Sequence, residues 1–269
     1  MMNLLYYPGA KNSIAKAILK LMPTHDGYTE AFGGSAAVMF AKQPSRIDVY
    51  NDLNEDIVNV FRVLRTNPDE LSRAIALTPF SRVEYKQAYE HSTCAVERAR
   101  RTIIRSVMGF GAKGVLFHSV GFRAGGYDKR QMRWVDALNA LPEVVQSWAM
   151  RFKDVVIECD DAMTVLRKYD SKNTLHYIDP PYVRTTRRDR NKLYKYEMND
   201  VQHSELIDCI HSLKGMVILS GYDSDIYNSQ LRGFIRYELS SMTQANTRAK
   251  EVLWVSPKVQ YQTLFSEVM

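Results

Sequence analysis

The sequence predicts an α/β fold: a doubly wound, mostly parallel sheet interrupted by a helical insertion. Three observations predict it. Short β-like runs alternate with helical apolar spacing at both ends of the chain. Between them, from Leu53 to Trp148, helical patterns dominate. The glycine and acidic motifs directly follow predicted strands, where open α/β sheets place their ligands.

The elements follow in order. Residues 12–21 space Ile14, Ala17, Ile18 and Leu21 on one helical face, and Pro23 stops the helix. A strand over 28–32 runs into Gly33-Gly34-Ser35, and a small-residue helix follows over 36–41. A second strand, 46–50, ends at Asn51-Asp52. Helices are expected over 53–66, 69–77, 82–91, 95–108 and 134–150. The Gly-, Arg- and aromatic-rich stretch 109–133 offers no defined element. Strands are expected again at 154–158, at 174–178 leading into Asp179-Pro180-Pro181-Tyr182, at 215–220, at 235–240 and at 251–256, with a helix near 200–213. The expected division is 1–53 with 153–269 as one domain and 54–152 as the insertion.

Composition narrows the class. With 269 residues, the chain makes one large domain or one with an insertion. A hydrophobic fraction of 45% supports an ordinary core. The three cysteines are scattered without a CxxC pair, so neither a disulfide framework nor a metal site is expected. The first residues lack a signal-peptide pattern, and no apolar run approaches the ~20 residues of a membrane span. A cytoplasmic protein is expected. Its net charge of +6 favours polyanions through counterion release.

Asp179-Pro180-Pro181-Tyr182 is the strongest motif; chance gives it in roughly one chain of this length per thousand at ordinary residue frequencies. The bland reading is a strand ended by prolines. The chemical reading gives each residue a task. An exocyclic amine conjugated to a purine is a poor nucleophile. A carboxylate at Asp179 and the carbonyl of Pro180 can accept its two N–H bonds, draw it toward tetrahedral geometry and free its lone pair. The prolines fix φ, so the carbonyl is aimed beforehand. Tyr182 offers a face for an extruded base.

Other candidates gain weight from that motif. Glu30-Ala31-Phe32-Gly33-Gly34-Ser35 is a glycine turn able to approach a nucleotide closely, or a plain turn. Asp52 stands where an acid binds ribose hydroxyls, or caps the next helix. In Tyr7-Pro8-Gly9-Ala10-Lys11, the aromatic suits a sulfonium cation and Lys11 a carboxylate. Asp161, with Asp160 competing, is a candidate for the cofactor's adenine; an exposed loop acid is the alternative.

These motifs, with VYNDLNEDIVNVFRVLR, CDDAMTVLRKYD and KGMVILSGY, resemble the Dam-like, D12-class adenine-N6 DNA methyltransferases, particularly phage and prophage versions. The match runs over nearly the whole chain and is loose around 66–150. It implies a Rossmann-like catalytic domain over 1–53 and 153–269, a target-recognition insertion over 54–152, and S-adenosyl-L-methionine as methyl donor. It implies methylation of adenine N6 in double-stranded DNA by Asp179, Pro180 and Tyr182. Tyr7, Lys11, Phe32, Gly33, Asp52, Asp161 and Asp179 would bind the cofactor, with no metal. Departures are Tyr7 for the commoner tryptophan, Ala31 for proline and Ala10 for a second glycine.

Six basic residues and one acid follow Tyr182 up to and including Lys195. Beside the site of base flipping they read as phosphate contacts, with Arg184, Arg187 and Arg188 foremost. Arg98, Arg100, Arg101 and Arg105 form a further basic set. Gly109-Phe110-Gly111 and Gly125-Gly126-Tyr127 suggest a hairpin, on which Arg123 is the candidate for reading guanine. His118 reads as structural. The alternatives are an amino-methyltransferase of the same fold acting on cytosine N4, RNA or protein glutamine, where Ser or Asn more often opens the tetrapeptide, and a non-catalytic DNA-binding protein. A monomer is the default expectation.

Overall fold

The computed structural model describes residues 3–116, 120–123, 129–186, 196–242 and 248–259. In chain order its elements are α1 (Ala15–Lys20), β1 (Gly27–Glu30), α2 (Ala37–Ala41), β2 (Ile47–Asn51), α3 (Glu55–Thr66), α4 (Pro68–Ala76), α5 (Arg82–Gln87), α6 (Ala95–Met108), α7 (Lys129–Phe152), β3 (Val156–Glu158), α8 (Ala162–Lys168), β4 (Thr174–Ile178), α9 (Asp200–Ser212), β5 (Met216–Gly221), α10 (Asp225–Gln230), β6 (Ile235–Met242) and β7 (Arg248–Val255). Short 3-10 turns stand at Lys11–Ser13, Phe110–Val115 and Arg184–Thr186.

Two compact units divide the chain: Met1–Ala10 with Asn54–Ile157, and Lys11–Leu53 with Glu158–Met269. The expected 1–53 segment is therefore split at Ala10, and the second boundary falls inside β3 rather than at 153. The first ten residues group with the helical unit, where the Tyr6 ring meets Trp134 edge-on at 4.9 Å and the Tyr6 amide donates to Ser106 Oγ.

The sheet has seven strands in the order β3-β2-β1-β4-β5-β7-β6. β1 pairs in parallel with β2 on one side and β4 on the other, and β4 with β5. β7 runs antiparallel to both β5 and β6. The chain thus leaves β1 in one direction through β2 and β3, and builds outward on the other side from β4. The strand order reverses between β1 and β4, and the carboxyl ends of the strands at such a switch point are the place where these sheets hold ligands. Every residue of β4 and β5 is buried, as a central parallel strand demands. Their apolar side chains join α8, α9 and α10 in one core of Leu166, Ile178, Leu206, Ile210, Leu219, Tyr227 and Trp254.

Local chemistry explains the helix ends. Asn199 and Gln202 form a reciprocal capping box at the start of α9. Asn54, Ser81, Asp161 and Ser224 each accept a backbone N–H at the start of α3, α5, α8 and α10. Pro68 opens α4 at a position that needs no N–H donor. The sequence reading omits α8 and α10, which are seven and six residues long. At that length an apolar face is too short to show a period, and the caps alone mark them. The stretch 109–133 is also more ordered than its composition suggests. Gly109 bridges Phe122 antiparallel, a 3-10 turn follows Gly109, and α7 begins at Lys129. His118 and Gly125-Gly126-Tyr127 lie outside the described residues.

Candidate active site

The sheet unit assembles a polar cluster where β1 and β4 end. Asp179 is the first residue after β4, and its Oδ2 accepts from Lys11 Nζ at 2.7 Å. Lys11 stands on the 3-10 turn before α1 and is itself buried. Its ammonium also lies 3.5 Å from Glu251 Oε1 and 5.0 Å from the centre of the Tyr182 ring. The Tyr182 hydroxyl donates to the same Glu251 oxygen, as does Ser220 Oγ at 2.9 Å. Tyr222 packs edge-on against Tyr182, with ring centres 4.6 Å apart. Asp179 Oδ1 is buried and has no hydrogen-bond partner among the described residues. A buried carboxylate oxygen without a donor costs on the order of 1–3 kcal/mol, so it marks a place where a donor is expected to arrive.

Charge is uneven here. Burial raises Asp179 above the ordinary aspartate range while Lys11 pulls it down. Burial lifts Glu251 to about 7 against Lys11, and Asp179 adds to the rise. Glu30, the last residue of β1, is carried to about 7 by burial although it accepts the Tyr28 hydroxyl at 2.7 Å. Burial opposes the charge of Lys11, but Asp179 and Glu251 outweigh it and hold the ammonium well above the usual lysine range. Lys11 therefore faces two carboxyl groups, Asp179 and Glu251, while Glu30 lies in the fields of Lys42 and Asp179.

The loop after β1 is built by its neighbours. Gly33 is required by packing: a Cβ there would sit 2.1 Å from the Tyr50 ring. The sequence reading assigns that glycine to ligand approach, whereas its steric reason lies within the chain. Gly34 (φ 48) and Ala36 (φ 53) are both left-handed. Asp52 Oδ2 accepts the Gly34 amide at 2.9 Å, and the Tyr50 hydroxyl donates to the Gly34 carbonyl at 2.8 Å. Asn51 ties three strand ends together. Its Nδ2 donates to the carbonyls of Ala31 at 2.9 Å and Asp160 at 3.0 Å, and its Oδ1 accepts the Asp160 amide. Phe32 packs half-buried against the core. Asp161 is exposed and caps α8 through Thr164, so the bland reading describes at least one of its oxygens. Asp160 Oδ1 accepts the Asp161 amide.

Lys11, Asp179 and Tyr182 are thus brought together, and Phe32, Gly33, Asp52 and Asp161 surround the neighbouring strand ends. Pro180 is buried beside them. The carboxylate expected for Lys11 from a ligand is supplied twice by this chain. Tyr182 is only 7% exposed and held at its hydroxyl, so the described arrangement packs its ring rather than leaving it open. Tyr7 belongs to the helical unit; its carbonyl accepts the Ala10 amide at 3.2 Å. Glu251, Ser220 and Asn51 escaped the sequence reading. Glu251 left one signal, an acid at the head of the otherwise apolar run VLWV.

The basic residues divide. Arg184 is exposed on the turn after the tetrapeptide. Arg187 and Arg188 lie outside the described residues. Arg123 is engaged: its Nε donates to the Gly109 carbonyl at 2.5 Å and its guanidinium lies 3.4 Å from the Trp134 ring centre. Burial lowers it to about 10. The four arginines of α6 are engaged too. Arg98 and Arg105 bind Asp56, and Arg100 and Arg101 bind Glu97. That basic set is a structural ladder.

The donor set suits S-adenosylmethionine. Carboxylates follow β2 and β3 at Asp52, Asp160 and Asp161, able to meet hydroxyl and amine donors. The buried carboxyl excess beside β1 and β4 favours a cationic ligand.

The family model of the D12 class N6 adenine-specific DNA methyltransferases matches residues 7–251. The chain belongs to that family. It is a DNA adenine-N6 methyltransferase with a Rossmann-like fold, and the family implies S-adenosylmethionine as donor and DNA as substrate. No curated protein matches the chain. No described helix is long and apolar enough to cross a membrane.

Proposed function

We propose that this enzyme methylates a flipped adenine in double-stranded DNA with Asp179 and Pro180 as the acceptors that activate N6. The observation that carries the reading is the carboxylate of Asp179, pinned at Oδ2 by Lys11 and, among the described residues, unpartnered at its buried Oδ1. Oδ1 and the Pro180 carbonyl each take one N6–H bond, so the lone pair leaves the ring and points outward. As the new N–C bond forms, the methyl's bond to the donor sulfur would break with its electron pair left on sulfur, and the amine's surplus proton would pass to Asp179. S-adenosylmethionine, when bound, supplies an electrophilic methyl group. Phe32, Gly33, Asp52, Asp161, Asp179 and Lys11 are the proposed groups around it in the sheet unit. Tyr182 flanks the base. Position and electrostatics do the work, without a covalent enzyme intermediate.

DNA is held in this reading by Arg184, Arg187 and Arg188, which follow the tetrapeptide, and by Arg123 of the helical unit, which serves as the target-recognition part. The enzyme works as a cytoplasmic monomer. The test incubates purified protein with isotope-labelled S-adenosylmethionine and unmethylated duplex DNA, followed by digestion and mass spectrometry. Labelled N6-methyldeoxyadenosine is expected. N4-methylcytosine, or label only in RNA or protein, overturns the assignment.

A further inference from the structure

Glu251 has no part in the chemistry above, yet three donors converge on one of its oxygens. The hydroxyls of Tyr182 and Ser220 donate to Oε1, and the Lys11 ammonium lies 3.5 Å from it. The side chain is 7% exposed, on a strand whose next residues, Val252, Leu253 and Trp254, are all core. Burying a carboxylate there is expensive, and an apolar residue of similar volume commonly stabilises such a position instead. The fold therefore gains nothing obvious from this acid.

The active-site geometry does gain. Lys11 has three N–H bonds to distribute. One goes to Asp179 Oδ2 at 2.7 Å, and the attraction of Glu251 keeps the ammonium from settling wholly on Asp179. We infer that Glu251 is a positioning residue for methyl transfer: by sharing Lys11 and anchoring Tyr182, it fixes the ammonium between the two acids, on the Oδ2 side of Asp179, with Oδ1 clear for the target amine. It also leaves Asp179 a stronger acceptor than an undivided ion pair with lysine would. This inference rests on the reading of Asp179 given above.

The protonation state of Glu251 makes the role measurable. Burial lifts it to about 7, Lys11 opposes and Asp179 reinforces the rise. The other polar groups facing it are Tyr177, Tyr182 and Ser220. Its charged form is the one that competes for Lys11. Turnover should therefore climb with pH as Glu251 loses its proton.

The experiment measures steady-state methyl transfer to duplex DNA across pH for the wild-type enzyme, Glu251→Gln and Glu251→Asp. Glu251→Gln should lower kcat by about 10–100-fold, with KM for cofactor and DNA changed less than about threefold, because only the activated arrangement is lost. Its kcat should lack the rise through neutral pH, and its melting temperature should match or exceed that of the wild type. Glu251→Asp keeps the charge and should recover part of the rate together with the pH dependence. Wild-type kcat preserved in Glu251→Gln overturns the inference and leaves the assigned reaction standing. A loss that follows a fall in melting temperature and a rise in both KM values, without rescue by Glu251→Asp, overturns it too. Wild-type protein that forms no N6-methyladenine at any pH overturns the assigned reaction and this inference with it.

Discussion

Two ion-pair clusters occupy the two units, and they are opposites. On α6, Arg98 and Arg105 share Asp56, while Arg100 and Arg101 share Glu97, with Glu55 and Glu84 completing the set. Cations and carboxylates are balanced there. At the end of β4 the single ammonium of Lys11 meets Asp179 and Glu251, with Glu30 nearby in the field of Asp179. In the helical cluster the hydrogen bond from Arg100, helped by Arg101, holds Glu97 below the ordinary glutamate value. Burial pushes Asp56 up, but Arg98 and Arg105 outweigh it. In the sheet cluster burial wins for every carboxyl group. A balanced cluster serves the fold. An unbalanced buried one stores an unsatisfied acceptor, a feature that structural pairs avoid and reaction sites use.

The sharpest way to break this contrast is Asp179→Ala. Transfer should fall by at least about 10³-fold, since both the oriented acceptor and its charge go. S-adenosylmethionine affinity, measured by calorimetry, should weaken far less; substantial turnover by this variant would sink the assignment. In the balanced cluster the expected effect is on stability alone. Asp56→Ala leaves Arg98 and Arg105 without their shared acceptor and should cost about 1–2 kcal/mol by denaturant unfolding, with kcat kept at a permissive temperature. If kcat collapsed while stability held, α6 would belong to the reaction as well.

Acidity separates the two clusters without any mutation. Glu30 and Glu251 sit at about 7, above the ordinary glutamate value of 4.5, so the folded sheet unit binds their protons more tightly than the unfolded chain. Their contribution is full below 4.5 and disappears as pH rises through about 7. Asp56 and Glu97 are lowered, so their contribution is present above ordinary carboxyl values and disappears as pH falls through the lowered ones. Hydrogen exchange followed by mass spectrometry should find protection of the sheet unit declining from acid to neutral pH, and that of α6 declining only in acid. Parallel profiles for the two units would remove the distinction. The smallest expected effect is Arg184→Ala, which should weaken DNA binding several-fold and reduce the slope of log affinity against log salt by about one. An unchanged slope would take Arg184 out of the phosphate contacts.

Much of this molecule was legible in its residues. β4 has the bounds its apolar run predicted, and α6 does as well. The Asp179-Pro180-Pro181-Tyr182 motif named the chemistry because few other purposes require that order of groups after a buried strand. Legibility failed where one residue type serves two ends. The arginines of α6 read as a nucleic-acid surface because charge alone does not reveal a partner; Asp56 and Glu97 neutralise them in space. Gly33 read as ligand access, yet the Tyr50 ring already requires it. Asp161 read either as a ligand acid or as an exposed loop acid, and its Oδ1 caps α8.

The sequence by itself determined the alternation of strands and helices and the family, because these depend on local periodicity and on contiguous motifs, and it singled out Asp179 as the candidate for the reacting acid. Only the tertiary structure showed that Glu251 lies against Lys11, Tyr182 and Ser220. Lys11 lies near the start of the chain and Glu251 near its end, and no spacing rule connects them. They meet because β7 lies antiparallel between β5 and β6, which sets Glu251 against Ser220, while Lys11 on the turn before α1 reaches both Asp179 and Glu251. Burial at that meeting point, rather than residue identity, is what lifts the Glu251 carboxyl to about 7.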